Sequence, residues 1–283
     1  MTIKSLKNIS FDTVFATFNK AFADYEMQLN KVELQRMLKR RGYVPELSFG
    51  AFDDDVLVSF TLNGIGLFNK QNTAYDTGTG TIKEYRGQGL ATQIFEYSVP
   101  VLKEAGVEQY LLEVLQHNEK AVSIYSKLGF RVSREFNYFV QNAALIQTSE
   151  KSILSDIVFK EVDLNKTQDL VSMHDFVPSW QNSFESIQRT PEDYICLAAL
   201  KDGHIVAYCI FDPRSGDITQ LAVDKLFRRK RIATALLSLV LKKNTYNSVK
   251  LINSEVGCEA LTSFLSSIKM PLSGKQYEMI KML

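Results

Sequence analysis

Apolar and polar residues alternate with a period of two in several short runs bounded by Asp, Gly and Pro, a pattern that predicts strands. In the first half, Leu47–Phe52, Val56–Leu62 and Thr73–Ile82 read as strands, with a turn at Asp53–Asp55 and a loop at Asn69–Asn72. A glycine-bearing turn follows, and a helix is predicted from near Leu90. That helix contains Pro100, which predicts a bend near Ser98 or a stop there. In the second half, Tyr194–Leu200, Ile205–Phe211 and Asp217–Val223 read as strands, joined by turns at Lys201–His204 and Asp212–Gly216. A basic turn comes next, then a helix from near Ile232.

The two halves therefore repeat one order of elements. Arg86 matches Arg228 and Ala91 matches Ala233, each pair 142 positions apart. Duplication of one α/β domain accounts for this. The expected domains are residues 1–142 and 150–283, divided in the polar stretch Gln141–Ser155, where Gln147–Ser152 has the composition of a linker.

Composition narrows the partners. With 33 basic and 32 acidic residues the net charge is +1, so bulk charge draws neither nucleic acid nor an anionic membrane. No apolar run is long enough for a membrane-crossing helix. Met1–Ser10 lacks the apolar core of a signal peptide, so the expected compartment is the cytoplasm. Cys196, Cys209 and Cys258 match no metal or redox spacing and are expected to be buried thiols. His117, His174 and His204 are scattered, and no metal is expected. Pro178–Ser183 holds the single tryptophan, Trp180, which is expected in the core.

The segment Thr81–Thr92 carries the chemistry. A strand ends, Gly87 and Gly89 make a turn, and a helix begins at Leu90. The first N–H groups of a helix lack intrahelical partners, and with the helix dipole they form an anion site. Glycines let a phosphate approach the backbone, and Arg86 can add a charged contact. No G-x-x-x-x-G-K-S/T string exists, and Thr92 stands where a dinucleotide fingerprint needs Gly or Ala.

The string Arg86-Gly87-Gln88-Gly89-Leu90-Ala91 fits the pattern Q/R-x-x-G-x-G/A. Downstream come Leu111-Leu112-Glu113-Val114, Asn118, Ala121, Tyr125 and Lys127-Leu128-Gly129-Phe130. Together the block Tyr85–Phe130 resembles the two core motifs of the GNAT acetyltransferase superfamily. The resemblance implies an α/β (α+β) fold of two GNAT-type domains. Each would be a mixed, mostly antiparallel sheet with a splayed central parallel pair flanked by helices. It implies acetyl-CoA as cosubstrate. The pantetheine arm would lie along the edge Thr79–Lys83, with Thr79, Thr81, Ile82 and Lys83 lining it, and the pyrophosphate on Arg86, Gly87, Gln88, Gly89, Leu90, Ala91 and Thr92. The family more often has an apolar residue at Thr81 and a proline near Lys83.

Asn118 matches a family residue that reaches the pantetheine arm, and it also suits a helix N-cap. Tyr125 matches the family tyrosine beside the thioester sulfur, where a phenol can protonate the leaving thiolate. Ala121, Tyr125 and Leu128 also share one helical face, as core residues do. Glu113 is in register with the proposed base of ribosomal-protein alanine acetyltransferases; a solvent-side strand glutamate is the other reading. Asp76 and Glu84 are the alternative carboxylates.

The second half departs from the motif. Arg231 replaces Gly89 within Arg228–Arg231, and Phe264 is matched to Tyr125, so the second domain is expected to be silent. It is left with weak coenzyme A binding or a place in the wall of the substrate site. The implied activity is acetyl transfer to a primary amine of a small molecule or peptide; the alternative is a non-catalytic acyl-CoA-binding or scaffold protein. A monomer with an internal pseudo-dimer or a homodimer is expected.

Overall fold

The computed structural model describes residues 1–24, 28–148, 156–167 and 170–283. It has two compact units, one of Met1–Arg134 with Tyr277–Leu283 and one of Glu135–Gln276. The expected division at residues 142 and 150 falls inside the second unit. Residues 149–155 of the expected linker lie outside the described residues.

In the first unit the strands run in spatial order β1 (Thr2–Ser5), β2 (Phe49–Asp53), β3 (Val56–Phe68), β4 (Gln71–Thr81) and β5 (Gln109–Leu115), and the C-terminal segment 277–282 lies beside β5. All the pairs from β1 to β4 are antiparallel, whereas β4 and β5 are parallel. The alternating runs thus became strands, with shifted ends. Leu47 falls in a single tight helical turn at Pro45–Leu47, because Pro45 fixes φ and cannot donate to a ladder. β3 continues to Phe68, six residues past the expected end.

Two helices precede β2. Helix α1 (Phe11–Ala21) starts where the Ser10 hydroxyl accepts the Thr13 N–H at 3.1 Å, and Val14, Phe18 and Ala21 bury one face. Helix α2 (Lys31–Arg41) has a reciprocal cap. Asn30 accepts from Val32 and Glu33, and the Glu33 carboxylate takes the Asn30 N–H at 2.8 Å. It ends at Gly42 with φ 78°, and the peptide of Arg41 then lies against Gly64, where a Cβ would stand 1.9 Å from the Arg41 oxygen.

Helix α3 (Leu90–Glu104) runs through Pro100 and does not stop there. The hydroxyl of Ser98 donates to the Phe95 oxygen at 2.9 Å. Helix α4 (Glu119–Lys127) follows β5.

In the second unit, residues 135–142 of β6 (Arg131–Asn142) are antiparallel to β11 (Ser248–Glu255). The order from there is β11, β10 (Asp217–Val223), β9 (His204–Asp212), β8 (Ile195–Lys201) and β7 (Ile157–Glu161). α5 (Phe184–Gln188), α6 (Ile232–Lys243) and α7 (Glu259–Ser267) complete it. Trp180, Cys196, Cys209 and Cys258 are all buried, as expected. Among the described residues no helix is long and apolar enough to cross a membrane.

Candidate active site

The parallel ladder between β4 and β5 is short. Thr73, Ala74 and Tyr75 pair with Gln109, Tyr110 and Leu111, and the ladder ends there. Beyond it β4 carries a bulge against β3, because Leu62 faces Gly78 while Asn63 faces Asp76, leaving Thr77 extra. A bulge bends its strand. Residues 76–81 of β4 and 112–115 of β5 thus form the two walls of an opening. Helix α2 braces the bend, since Arg41 Nη1 donates to the Thr77 oxygen at 2.9 Å.

Asp76 stands at the base of that opening and is 8% exposed. Its Oδ1 accepts the Gly78 N–H at 2.9 Å. Its Oδ2 accepts the Thr79 hydroxyl at 2.8 Å and the Tyr125 phenol at 3.1 Å. Burial pushes the Asp76 carboxyl up to about 6, against three hydrogen bonds and the Arg41 charge that favour the anion. Tyr125 reaches it from α4, where its ring meets Phe95 edge-on at 5.6 Å and Phe130 at 5.7 Å. On the β5 side Glu113 is hydrogen-bonded by Tyr75, whose phenol is raised well above its ordinary value, first by burial and then by the Glu113 charge. Tyr110, fully buried, donates to Asn63 Oδ1 at 2.6 Å.

The structure therefore brings Asp76, Thr79 and Tyr125 into one bonded group, with Glu113 on the facing strand. Glu84 is exposed in the turn beyond β4. Asn118 is the N-cap of α4, with Oδ1 accepting the Ala121 N–H at 3.2 Å. The sequence reading did not single out Arg41, Tyr75 or Tyr110. The capping signal Asn30-x-x-Glu33 could have announced α2, and with it Arg41 at that helix's end.

The turn after β4 has the expected shape with a different use of Arg86. β4 ends at Thr81, and Lys83–Tyr85 form a tight helical turn, so Ile82 and Lys83 lie beyond the strand. Gly87 and Gly89 have φ of 82° and 73°, the left-handed region where a Cβ is strained. No side chain caps the start of α3. An added Cβ would meet nothing within 4 Å at Gly87, and only the Gln93 side chain at 3.8 Å at Gly89. The N-terminus of α3, with Leu90, Ala91 and Thr92 in its first turn, is thus bordered by open space, which suits a phosphate. The Arg86 guanidinium turns back to the end of α1, donating to Ala21 O at 2.8 Å and Thr81 O at 3.1 Å and pairing with Asp24 at 3.0 Å.

The second unit repeats this frame with other side chains. Thr219 is the extra residue of a matching bulge in β10, and Arg228 donates to Val223 O at 3.0 Å, both 142 positions on from Thr77 and the Arg86–Thr81 bond. Arg229 and Arg231 hold φ of 62° and 64° where glycines stand in the first unit. The matches shift to 140 positions after β11. Cys258 occupies the N-cap position of α7, as Asn118 does in α4, but without a side-chain cap bond, and Met270 N–H bonds Leu265 O as Phe130 N–H bonds Tyr125 O, the last two at 3.0 Å. The counterpart of Tyr125 is therefore Leu265, not the expected Phe264; neither can give a proton. The opening itself is crossed. Gln220 of β10 donates to Asn182 O and Asn182 donates to Ile252 O of β11, both at 2.8 Å.

Residues 11–130 and 164–245 match the model of the acetyltransferase (GNAT) family. The chain belongs to that family. Over 98 residues it is 35% identical to N-alpha-acetyltransferase 30 of Schizosaccharomyces pombe, a match covering 34% of this chain and 65% of that protein. Over 97 residues it is 30% identical to N-alpha-acetyltransferase MAK3 of Arabidopsis thaliana, covering 34% of this chain and 51% of the relative. The chain thus spans between half and two thirds of these relatives' length. A tandem GNAT protein from the clavulanic acid biosynthesis pathway superposes with a TM-score of 0.73 at 10% identity, over 99% of this chain and 98% of that one. At that identity the likeness concerns the fold.

Proposed function

We propose that this protein is an N-acetyltransferase that moves an acetyl group from acetyl-CoA to a primary amine in the first unit. The observation that carries this is the uncapped glycine turn at the start of α3, next to the end of β4, where Asp76 and Tyr125 are bonded, with Glu113 on the facing strand β5. The N–H groups from Gly87 to Thr92 would hold the pyrophosphate. The edge Thr79–Thr81, with Ile82, Lys83 and Asn118, would hold the pantetheine arm. Arg86 would act by fixing the turn against α1. Acetyl-CoA supplies an acyl group already activated as a thioester.

The chain's own part is to orient and to move a proton. Tyr125 gives a proton to the leaving sulfur, and one of the two carboxylates, Asp76 or Glu113, takes the proton of the attacking amine. Phe95 and Phe130 pack edge-on against Tyr125 and fix the orientation of its ring. The named relatives acetylate alpha-amines, and a peptide N-terminus is one primary amine such a site would serve.

The test is release of free thiol from acetyl-CoA in the presence of peptides with free N-termini, lysine and short aliphatic amines. Amine-dependent release with acetylated product is expected. Tight binding of acetyl-CoA with no amine-dependent release would leave the non-catalytic binding reading in its place.

Gly89→Arg tests the phosphate site alone. Arg231 holds φ 64° and ψ 12° in the second unit, close to the 73° and 14° of Gly89, so the backbone turn survives an arginine. The strain should cost about 1 kcal/mol of stability. Acetyl-CoA affinity by titration calorimetry is expected to fall about tenfold or more, or 1.4 kcal/mol. Unchanged affinity would remove the pyrophosphate from this turn.

A further inference from the structure

We propose that Asp76 is the base of the transfer and that Asp76 and Tyr125 together form a closed proton path from the acceptor amine to the leaving thiolate. This rests on the reading of the first unit as an amine acetyltransferase. Three observations lead to it.

The first is position. Asp76 is the first residue of β4 beyond the ladder with β5, directly before the bulged Thr77, at the base of the opening. The second is the bond to Tyr125. The same Oδ2 that accepts the phenol at 3.1 Å is fixed by Thr79 at 2.8 Å, so the carboxylate is held rigid beside the acid. Glu113, the other carboxylate, is engaged by the phenol of Tyr75. The third is the second unit, where the counterparts of the pair are Ile218 and Leu265, both fully buried. The fold fills these two positions with apolar side chains when no chemistry is asked of them. A buried carboxylate and its phenol partner are thus not needed to build the frame.

The chemistry balances in four moves. The amine nitrogen bonds to the thioester carbonyl carbon. Its N–H proton passes to Asp76. The carbon–sulfur bond breaks as Tyr125 gives its O–H proton to sulfur. The carboxylic acid of Asp76 then returns a proton to the Tyr125 oxygen. One proton has moved from nitrogen to sulfur, and both side chains are restored. The order is enforced by charge. A phenolate 3.1 Å from an ionised Asp76 would place two anions in one buried site, so Tyr125 can release its proton only once Asp76 has gained one.

The groups facing Asp76 are Arg41 from α2, Tyr125 from α4, Tyr110 from β5 and Tyr75 from its own strand, with Glu113 bonded to Tyr75. Only Arg41 among them is cationic, and it favours the anion; burial outweighs it and sets the carboxyl at about 6.

The experiment is a pH–rate profile of the full chain with acetyl-CoA and a free-N-terminus peptide, for wild type, Asp76→Asn, Asp76→Glu and Glu113→Gln. Wild-type kcat/KM, expressed per neutral peptide amine (α-amino pKa about 8), is expected to fall on the acid side with a midpoint near 6. Asp76→Asn should lower kcat about 100-fold or more and lose that acid limb, with acetyl-CoA affinity within twofold of wild type. Asp76→Glu, which keeps a carboxylate, should keep the limb at a reduced rate. Glu113→Gln should keep that acid limb at its wild-type midpoint, whatever its rate. Turnover by wild type with Asp76→Asn equally active, or with the acid limb lost in Glu113→Gln instead, overturns the assignment of the base while leaving the acetyltransferase reading in place. Absence of turnover by wild type with every amine, while acetyl-CoA binds, removes that reading and this one together.

Discussion

Residues 1–142 alone are expected not to fold, whereas residues 1–134 joined through a short glycine-rich turn to residues 277–283 are expected to fold and to bind acetyl-CoA. The reason is the C-terminal segment. Met279 is 1% exposed in the core built from Ala74, Phe95, Tyr110, Leu112 and Phe130. The carboxylate of Glu278, 2% exposed, takes Arg134 Nε at 2.9 Å, Arg134 Nη2 at 2.6 Å and the Ser133 hydroxyl at 2.7 Å. Lys281 donates to Leu128 O, and the Leu283 N–H to Glu108 O at 2.9 Å. Without the segment the core loses a side chain, at about 2–5 kcal/mol. Breaking a buried ion pair costs about 3–5 kcal/mol more. The edge of β5, a wall of the opening, is left unpaired. These losses match the whole stability of an ordinary domain, about 5–15 kcal/mol. Because Ser133 and Arg134 already touch Glu278, a turn of a few residues spans the join. Thermal melting by circular dichroism and acetyl-CoA titration decide it; a cooperative melt of residues 1–142 at the temperature of the joined chain would show that the segment is dispensable.

That dependence was not legible in the sequence, and the physical reason is plain. No pattern of residues tells which unit a strand completes, because a ladder is indifferent to sequence distance. The glycine turn was legible because left-handed backbone leaves a residue-level mark at Gly87 and Gly89. The same mark fails for Arg229 and Arg231, which adopt that backbone against preference. Asp76 and Tyr125 were each visible as candidates, yet 49 positions separate them, and only the fold joins the phenol to the carboxylate. The slip from Leu265 to Phe264 has a local cause: matching residue types along a helix is blind to a shift of one position, whereas the hydrogen bonds that close α4 and α7 are not. Helices α1 and α2 carry capping signals of their own, Ser10 before Thr13 and Asn30 before Glu33, which strand alternation does not report.

Tyr125→Phe is expected to lower kcat by about 100- to 10,000-fold, the range for loss of a general acid, with little change in acetyl-CoA affinity. Phenylalanine keeps the ring contacts with Phe95 and Phe130, so the frame stays. What is lost is one hydrogen bond to a buried carboxylate, and that loss has a pH signature. The native carboxyl of Asp76 lies at about 6 against an ordinary 3.8, so the folded chain holds this proton more tightly than the unfolded chain. Its stabilising contribution is fully present below about 4 and is lost as pH rises through 6, a change of about 3 kcal/mol for this group. The Tyr125 phenol favours the anion and limits that loss. Without it the native carboxyl rises further, and stability keeps falling to a higher pH. The gap in melting temperature between Tyr125→Phe and wild type should therefore be small at pH 4 and widen toward pH 8. Asp76→Asn, with no charge to bury, should show a flatter profile than either. A kcat for Tyr125→Phe within tenfold of wild type would reduce Tyr125 to a core residue, and a melting gap independent of pH would mean that its phenol does not govern the Asp76 charge.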